Sequence, residues 1–142
     1  MDAAGHMLIY PVRSLGTPFS YQLQLADWPE VCVMGPTFSE EKINAALRVA
    51  VQERTASSRP VPLPRGNLRG EMAARLSLDE SLKVIVLNEM IKKDVSYQSL
   101  SRRLDMPAEF VRQRLDILGA TDLEFLEKVA GVLGKRWFVY IA

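Results

Sequence analysis

The chain has 142 residues, 48% of them hydrophobic, and a formal net charge of +1. That length allows one medium domain or two small ones, and near-neutrality excludes a protein that coats nucleic acid by bulk charge. One cysteine excludes an internal disulfide framework and suits a reducing cytoplasm; no apolar run spans a bilayer, and no secretory leader pattern opens the chain.

Residues 1–6 read as a cloning leader, because His6-Met7 is a common junction. The only histidine then drops out, and one cysteine cannot build a zinc site alone. Residues 8–12 suit a short strand at a sheet border, since they include Pro11. Residues 14–18 form a turn cluster around Gly16 and Pro18. Residues 19–25 alternate, with Phe19, Tyr21, Leu23 and Leu25 on one face of a half-buried strand. Residues 31–34 make a third strand, in which Cys32 reads as a small buried hydrophobe. Ser39 is placed to cap a helix, with Glu40 and Glu41 in the first turn, where the dipole favours negative charge. Ile43, Ala46, Leu47, Ala50 and Val51 form its apolar stripe. The helix ends by residues 55–58, and the prolines of 59–64 (RPVPLP) force an extended chain. Residues 65–70, holding Gly66 and Gly70, are the best linker.

Residues 72–78 could form a short strand, with Leu76 and Leu78 on one face. Ser77 or Asp79 caps the next helix, whose apolar set is Leu82, Ile85, Val86, Met90 and Ile91. The most informative stretch follows: residues 96–118, SYQSLSRRLDMPAEFVRQRLDIL. It reads as a short helix capped by Ser96 with Leu100 and Leu104 inside, a tight turn, and a second helix opened by Pro107 and closed by Gly119. Val111, Leu115 and Leu118 are its core residues. Thr121 caps a last helix holding Leu123, Leu126, Val129, Ala130 and Leu133. Residues 137–141 form a final apolar strand.

Two helices set across a tight turn have the shape that enters the DNA major groove. Val111 and Leu115, four apart, face the core, so Ala108, Glu109, Arg112 and Gln113 turn outward. Gln113 suits adenine, Arg112 guanine, Glu109 the cytosine amino group and Ala108 a thymine methyl. Ser96 and Tyr97 match positions that commonly hold a phosphate. Arg102, Arg103 and Arg114 are further sources of charge, the last two at positions that can turn off the interface. An ordinary solvated helix pair would carry similar arginines. Trp28 beside Pro29 is an interface anchor by type and equally a lid on a small core.

Two segments together resemble one family. Residues 27–31 (DWPEV), Gly35 to Thr37, Glu40-Glu41 and the closing RPVPLP are similar to the N-terminal domain of HicB-type antitoxins. Residues 96–104, 107–115 and 129–134 resemble the repressor-like helix-turn-helix fused to one HicB subclass. The residue after Leu104, usually glycine there, is Asp105, which tolerates the left-handed backbone such a turn needs. In the first hairpin only Tyr21 corresponds to a residue of the family pattern. The resemblance implies an α+β protein: a small trimmed ribonuclease-H-like β-β-β-α(-β) domain over residues 7–64, a linker over 65–74, and an all-α helix-turn-helix domain with a C-terminal dimerisation strand over 75–142. It implies an antitoxin that covers a HicA-type, mRNA-cleaving toxin and binds the operator DNA of its own operon. Toxin contacts are expected at Tyr21 and Trp28. Homodimer contacts, or those of a dimer of dimers, are expected at Leu76, Leu78, Trp137, Val139 and Ile141.

The residues themselves give no catalytic set. Asp27 and Glu30 sit in a turn, and adjacent Glu40 and Glu41 point apart, whereas a two-metal nuclease needs converging carboxylates. No cofactor, metal or membrane partner is expected. The rival readings are a plain transcription regulator with an N-terminal sensing or assembly domain, and a degenerate ribonuclease-H-like nuclease.

Overall fold

Proline 11 organises the sheet. In the computed structural model, which describes residues 8–17, 19–36, 39–65 and 72–137, it lies in a long first strand, β1 (Ile9–Thr17). The first third of β1 pairs with β4 (Ala73–Arg75), as Tyr10 opposite Ala74. From Val12 onward β1 pairs with β2 (Ser20–Leu25), as Val12 opposite Leu25 and Thr17 opposite Ser20. At the handover Pro11, which has no N–H to give, accepts from the Ala26 N–H at 2.9 Å, and the Val12 N–H turns to Met72 O at 2.9 Å. β3 (Cys32–Gly35) adds to β2, so the antiparallel order is β3-β2-β1-β4.

The sequence places a turn at 14–18, but β1 continues through Ser14 to Thr17, and Pro18 lies outside the described residues. Gly16 lies inside the strand at φ +102°, and a Cβ there would sit 2.4 Å from Ser20 O. Glycine is therefore needed, but for close backbone approach rather than for a turn. The reversal falls between Thr17 and Ser20, which leaves Phe19 exposed instead of on the buried face with Leu23 and Leu25. Cys32 is half-buried, and its Sγ accepts from Gln22 Nε2 at 3.4 Å. Residues 72–78 are not one strand either: β4 stops at Arg75, and Leu78 begins a helix. Ala73 and Ala74, expected in a linker, are paired in the sheet. The outward N–H of Arg75 is accepted by the Asn44 side chain at 2.8 Å.

α1 (Glu40–Ala56) starts as expected, with Ser39 accepting from the Lys42 N–H, and lays Ile43, Leu47 and Val51 on the sheet. With Tyr10, Val12, Leu23, Leu25 and Leu76 they form the first core. The second core joins α2 (Leu78–Lys93), α3 (Tyr97–Leu104), α4 (Ala108–Leu115) and α5 (Leu123–Val132) around Leu100, Val111, Leu115 and Leu126.

α2 is buried on both sides. Val84 enters the first core, while Leu82, Val86, Leu87 and Met90 enter the second. Three polar ties fix it to the sheet unit. Ser81 Oγ accepts from Leu8 N–H at 2.9 Å; Asn88 both accepts from Val61 N–H and donates to Val61 O, at 2.8 and 2.9 Å. Arg48 reaches both oxygens of Glu80, at 2.7 and 3.2 Å. Glu80 also closes a capping box with Ser77, which decides between Ser77 and Asp79 as the cap.

The expected burial of Leu118 and Leu123 and the expected cap at Thr121 fail for one reason. α4 ends at Leu115, capped by Asp116, so Leu118 is exposed and Ile117 is buried. α5 is capped by Asp122 rather than Thr121, accepting from Phe125 N–H at 2.8 Å; Leu123 is then exposed and Phe125 buried. A misplaced helix end rotates the expected face. Gly119 accordingly belongs to the turn after α4 and does not end the helix itself.

Burial pulls the Glu80 carboxyl up, but the hydrogen bonds from Arg48 and Ser77 outweigh it and hold it below its ordinary value. A carboxyl lowered on folding adds stability above its unfolded pKa, and that stability is lost as pH falls through the folded value. Glu80→Ala should therefore cost about 1–2 kcal/mol near neutrality. In urea titrations the deficit should shrink as the pH falls below the ordinary carboxylate range. Leu100, fully buried, should tolerate no charge, and Leu100→Asp should abolish the cooperative transition of the second core.

Candidate nucleic-acid interface

Ser96 begins α3 in extended geometry and accepts from the Ser99 N–H at 3.1 Å. α3 ends at Asp105, which adopts the left-handed conformation (φ 53°, ψ 48°) that the turn demands. Met106 N–H donates to Ser101 O at 3.0 Å, and Ser101 Oγ donates back to Met106 O, so the turn is closed from both sides. Pro107 opens α4 from the N-cap position.

Val111 and Leu115 face inward and are fully buried. Glu109, Arg112 and Gln113 are exposed, and Ala108 is half-buried. These four sequence-predicted residues thus share the outer side of one helix. Ser96 and Arg102 are exposed on and beside α3. Tyr97 joins the two helices, since the Arg112 guanidinium lies 5.2 Å from its ring centroid. Burial raises the Tyr97 hydroxyl above its ordinary pKa, Arg112 opposes this and Asp116 adds to it, so near neutral pH Tyr97 is an uncharged donor.

Arg114 belongs elsewhere. It pairs with Asp122 at 2.6 Å and covers the Phe110 ring at 4.2 Å. Phe110 meets Phe125 edge to face, with centroids 6.2 Å apart. Arg114 therefore fastens α4 to α5. The sequence reading missed this pair; Asp122 eight residues on from Arg114 was its only signal.

The remaining named residues are scattered. Trp28 is 3% exposed and lies in the first core, with its ring centroid 6.5 Å from that of Tyr10 and 5.4 Å from the Arg54 guanidinium. Of the two readings of Trp28, the geometry gives a lid on the core. Tyr21 is half-buried beside Val33, Met34 and Lys42. Leu76 is fully buried in the chain's own first core, and Leu78 is half-buried against the second. Trp137 is half-buried and lines a cavity of about 330 Å³ with Leu63, Leu82, Val86 and Leu133. Val139 and Ile141 lie outside the described residues. Asp27 accepts from the Arg65 N–H at 2.7 Å, tying two loops. Among the described residues no group of three or more His, Cys, Asp or Glu side chains could hold a metal ion, and no helix is long and apolar enough to cross a membrane.

Fold and site define an α+β chain: a curled four-stranded antiparallel sheet with one helix across it, and four further helices that present an exposed polar row on α4. No protein-family profile matches the chain. Curated relatives do. The chain is 26% identical over 130 residues to the antitoxin HicB of Escherichia coli K12, covering 89% of this chain and 94% of that protein. The antitoxin HicB of E. coli O157:H7 gives the same figures. That of Pseudomonas fluorescens Pf0-1 is 27% identical over 137 residues, 92% of this chain and 91% of its own length. The resemblance to HicB-type antitoxins is thereby shown along about nine-tenths of the chain, and the relatives support an antitoxin role.

Asp105 gives a local test of the turn. An L-residue in the left-handed region is strained, least so for Asp and Asn. Asp105→Gly should raise stability by about 0.5 kcal/mol, whereas Asp105→Val should lower it by about 1–2 kcal/mol, both read from urea midpoints.

Proposed function

We propose that the protein is an antitoxin that also represses its own operon. In this reading the sheet unit, residues 7–64 with β4 returning to it, covers a HicA-type toxin and blocks its active site sterically. The strand order supports comparison with a trimmed ribonuclease-H-like domain. The helical unit within 75–142 is a repressor-like helix-turn-helix, with α4 as the helix that enters the major groove. The protein acts in the cytoplasm as a homodimer or dimer of dimers and is not an enzyme.

The observation that carries the DNA reading is the outward row Glu109, Arg112 and Gln113 beside the inward pair Val111 and Leu115. One helix face is spent on the core and the other offers base-reading groups. Phosphate contacts from Ser96, Tyr97 and Arg102 would set its register. Arg112 is held over Tyr97, so its guanidinium is oriented before DNA arrives. Dimerisation supplies what a chain of charge +1 cannot: two half-sites multiply discrimination that one neutral monomer lacks. For toxin binding, Tyr21 is the accessible candidate of the two, because Trp28 is covered.

Co-expression with the product of the adjacent small reading frame tests the antitoxin reading. Co-purification and rescue of growth are expected; absence of both toxicity and a retained partner would favour the plain regulator. For DNA, Arg112→Ala and Gln113→Ala should each weaken binding to the operon's upstream duplex by about 1–3 kcal/mol and leave neutralisation intact. Loss of both functions together would indicate unfolding instead.

A further inference from the structure

The turn that follows α4 is held by one side chain far from it in sequence. Lys83, in the middle of α2, is 0% exposed. Its Nζ donates to Asp116 O at 2.8 Å and to Gly119 O at 2.5 Å. A fully buried lysine is rare unless its charge is met, and here two carbonyls at the turn meet it. Burial pushes its ammonium pKa down, against the opposing charges of Asp79, Glu80 and Asp116. Between those two carbonyls, Ile117 leaves the helical unit and enters the first core, 4% exposed. The turn is drawn tight: Leu118 N–H donates to Asp116 Oδ1 at 2.9 Å, and a Cβ on Gly119 would lie 2.3 Å from Gln113 O.

The α4 helix is therefore fastened at its C-terminal end to α2 by Lys83 and to the sheet unit by Ile117. The outward row runs along the helix from Glu109 to Gln113. The other ties of α4, Val111 in the second core and Arg114 with Phe110 on α5, hold it within the helical unit but not to the sheet unit. A loose anchor therefore changes its tilt against the sheet and displaces Glu109, the residue of the row farthest from the turn, most.

We infer that Lys83 is a positioning residue: together with Ile117 it locks residues 116–119 against α2 and the first core, and so sets the angle at which α4 stands on the sheet unit. This rests on the reading of α4 as the DNA-contacting helix only where its effect on DNA is concerned. The link makes the two units one body, so whatever binds the sheet unit is carried at a fixed angle to α4.

The test uses the full chain with Cys32→Ser, and nitroxide labels at Glu53→Cys in α1 and Glu109→Cys in α4. With the labelled chain diluted in excess unlabelled chain, the distance distribution between the labels, by double electron–electron resonance, should be single and narrow. Lys83→Met should broaden it. In the unlabelled chain the same substitution should lower affinity for the operon's upstream duplex on the order of tenfold, while affinity for a scrambled duplex and toxin neutralisation stay unchanged. Ile117→Val, a milder change, should also broaden the distribution and decides the matter if Lys83→Met does not fold. Distances as narrow as the parent's in the folded variants would overturn the inference, as would equal losses on both duplexes. A parent chain with no preference for the upstream duplex would overturn the DNA reading; broadened distances would still establish the link.

Discussion

Helix α2 has to satisfy two cores at once, and the rest of the structure depends on it. An amphipathic helix buries one stripe and wets the other; α2 has Val84 in one core and Leu82, Val86, Leu87 and Met90 in the other. Its polar residues are consumed in the same way. Ser81, Lys83 and Asn88 each terminate a backbone group of another segment: the start of β1, the turn after α4, and the proline-rich stretch. Such groups would be costly if buried without partners. α2 thus serves as a common wall whose side chains complete the hydrogen bonding of the segments packed on it.

That arrangement explains how a nearly neutral chain can still offer a charged surface. Arg48, Arg54 and Arg114 are held by Glu80, Glu30 and Asp122. Arg102, Arg103 and Arg112 stand exposed on and around α3 and α4. Net charge averages over these two populations and so conceals the local one. Sequence spacing reveals it, because the two inward residues of α4 dictate which neighbours turn out.

Much of the architecture was legible where chemistry is local. Ser39, Ser77 and Ser96 cap their helices because a short hydroxyl side chain can reach the N–H groups of the first turn. Asp105 could be read as a left-handed residue because few other side chains accept that backbone. What was not legible depended on where a helix stops or what lies across the chain. Residues 116–119 continue an apolar spacing but break it with an Asp side-chain turn, so Ile117 and Leu118 exchange roles. Gly16 announces a turn, yet it serves a strand whose backbones approach closely. Lys83 reads as solvent-facing by type; only the distant carbonyls of the α4 turn make its burial tolerable. Trp28 illustrates a third case, since residue type left two roles open and packing against Tyr10 selected one.

The side chain of Asn44 gives the sheet a direction. By accepting the outward N–H of Arg75 it blunts the β4 edge, whereas β3 is the outermost strand on the other side. Exposed strand edges are templates for further strands. A sheet able to recruit at both edges can propagate without limit; one with a single receptive edge is satisfied after one addition. Any strand added to this sheet would thereby be directed to the β3 side, and a chain with one receptive edge does not stack without end.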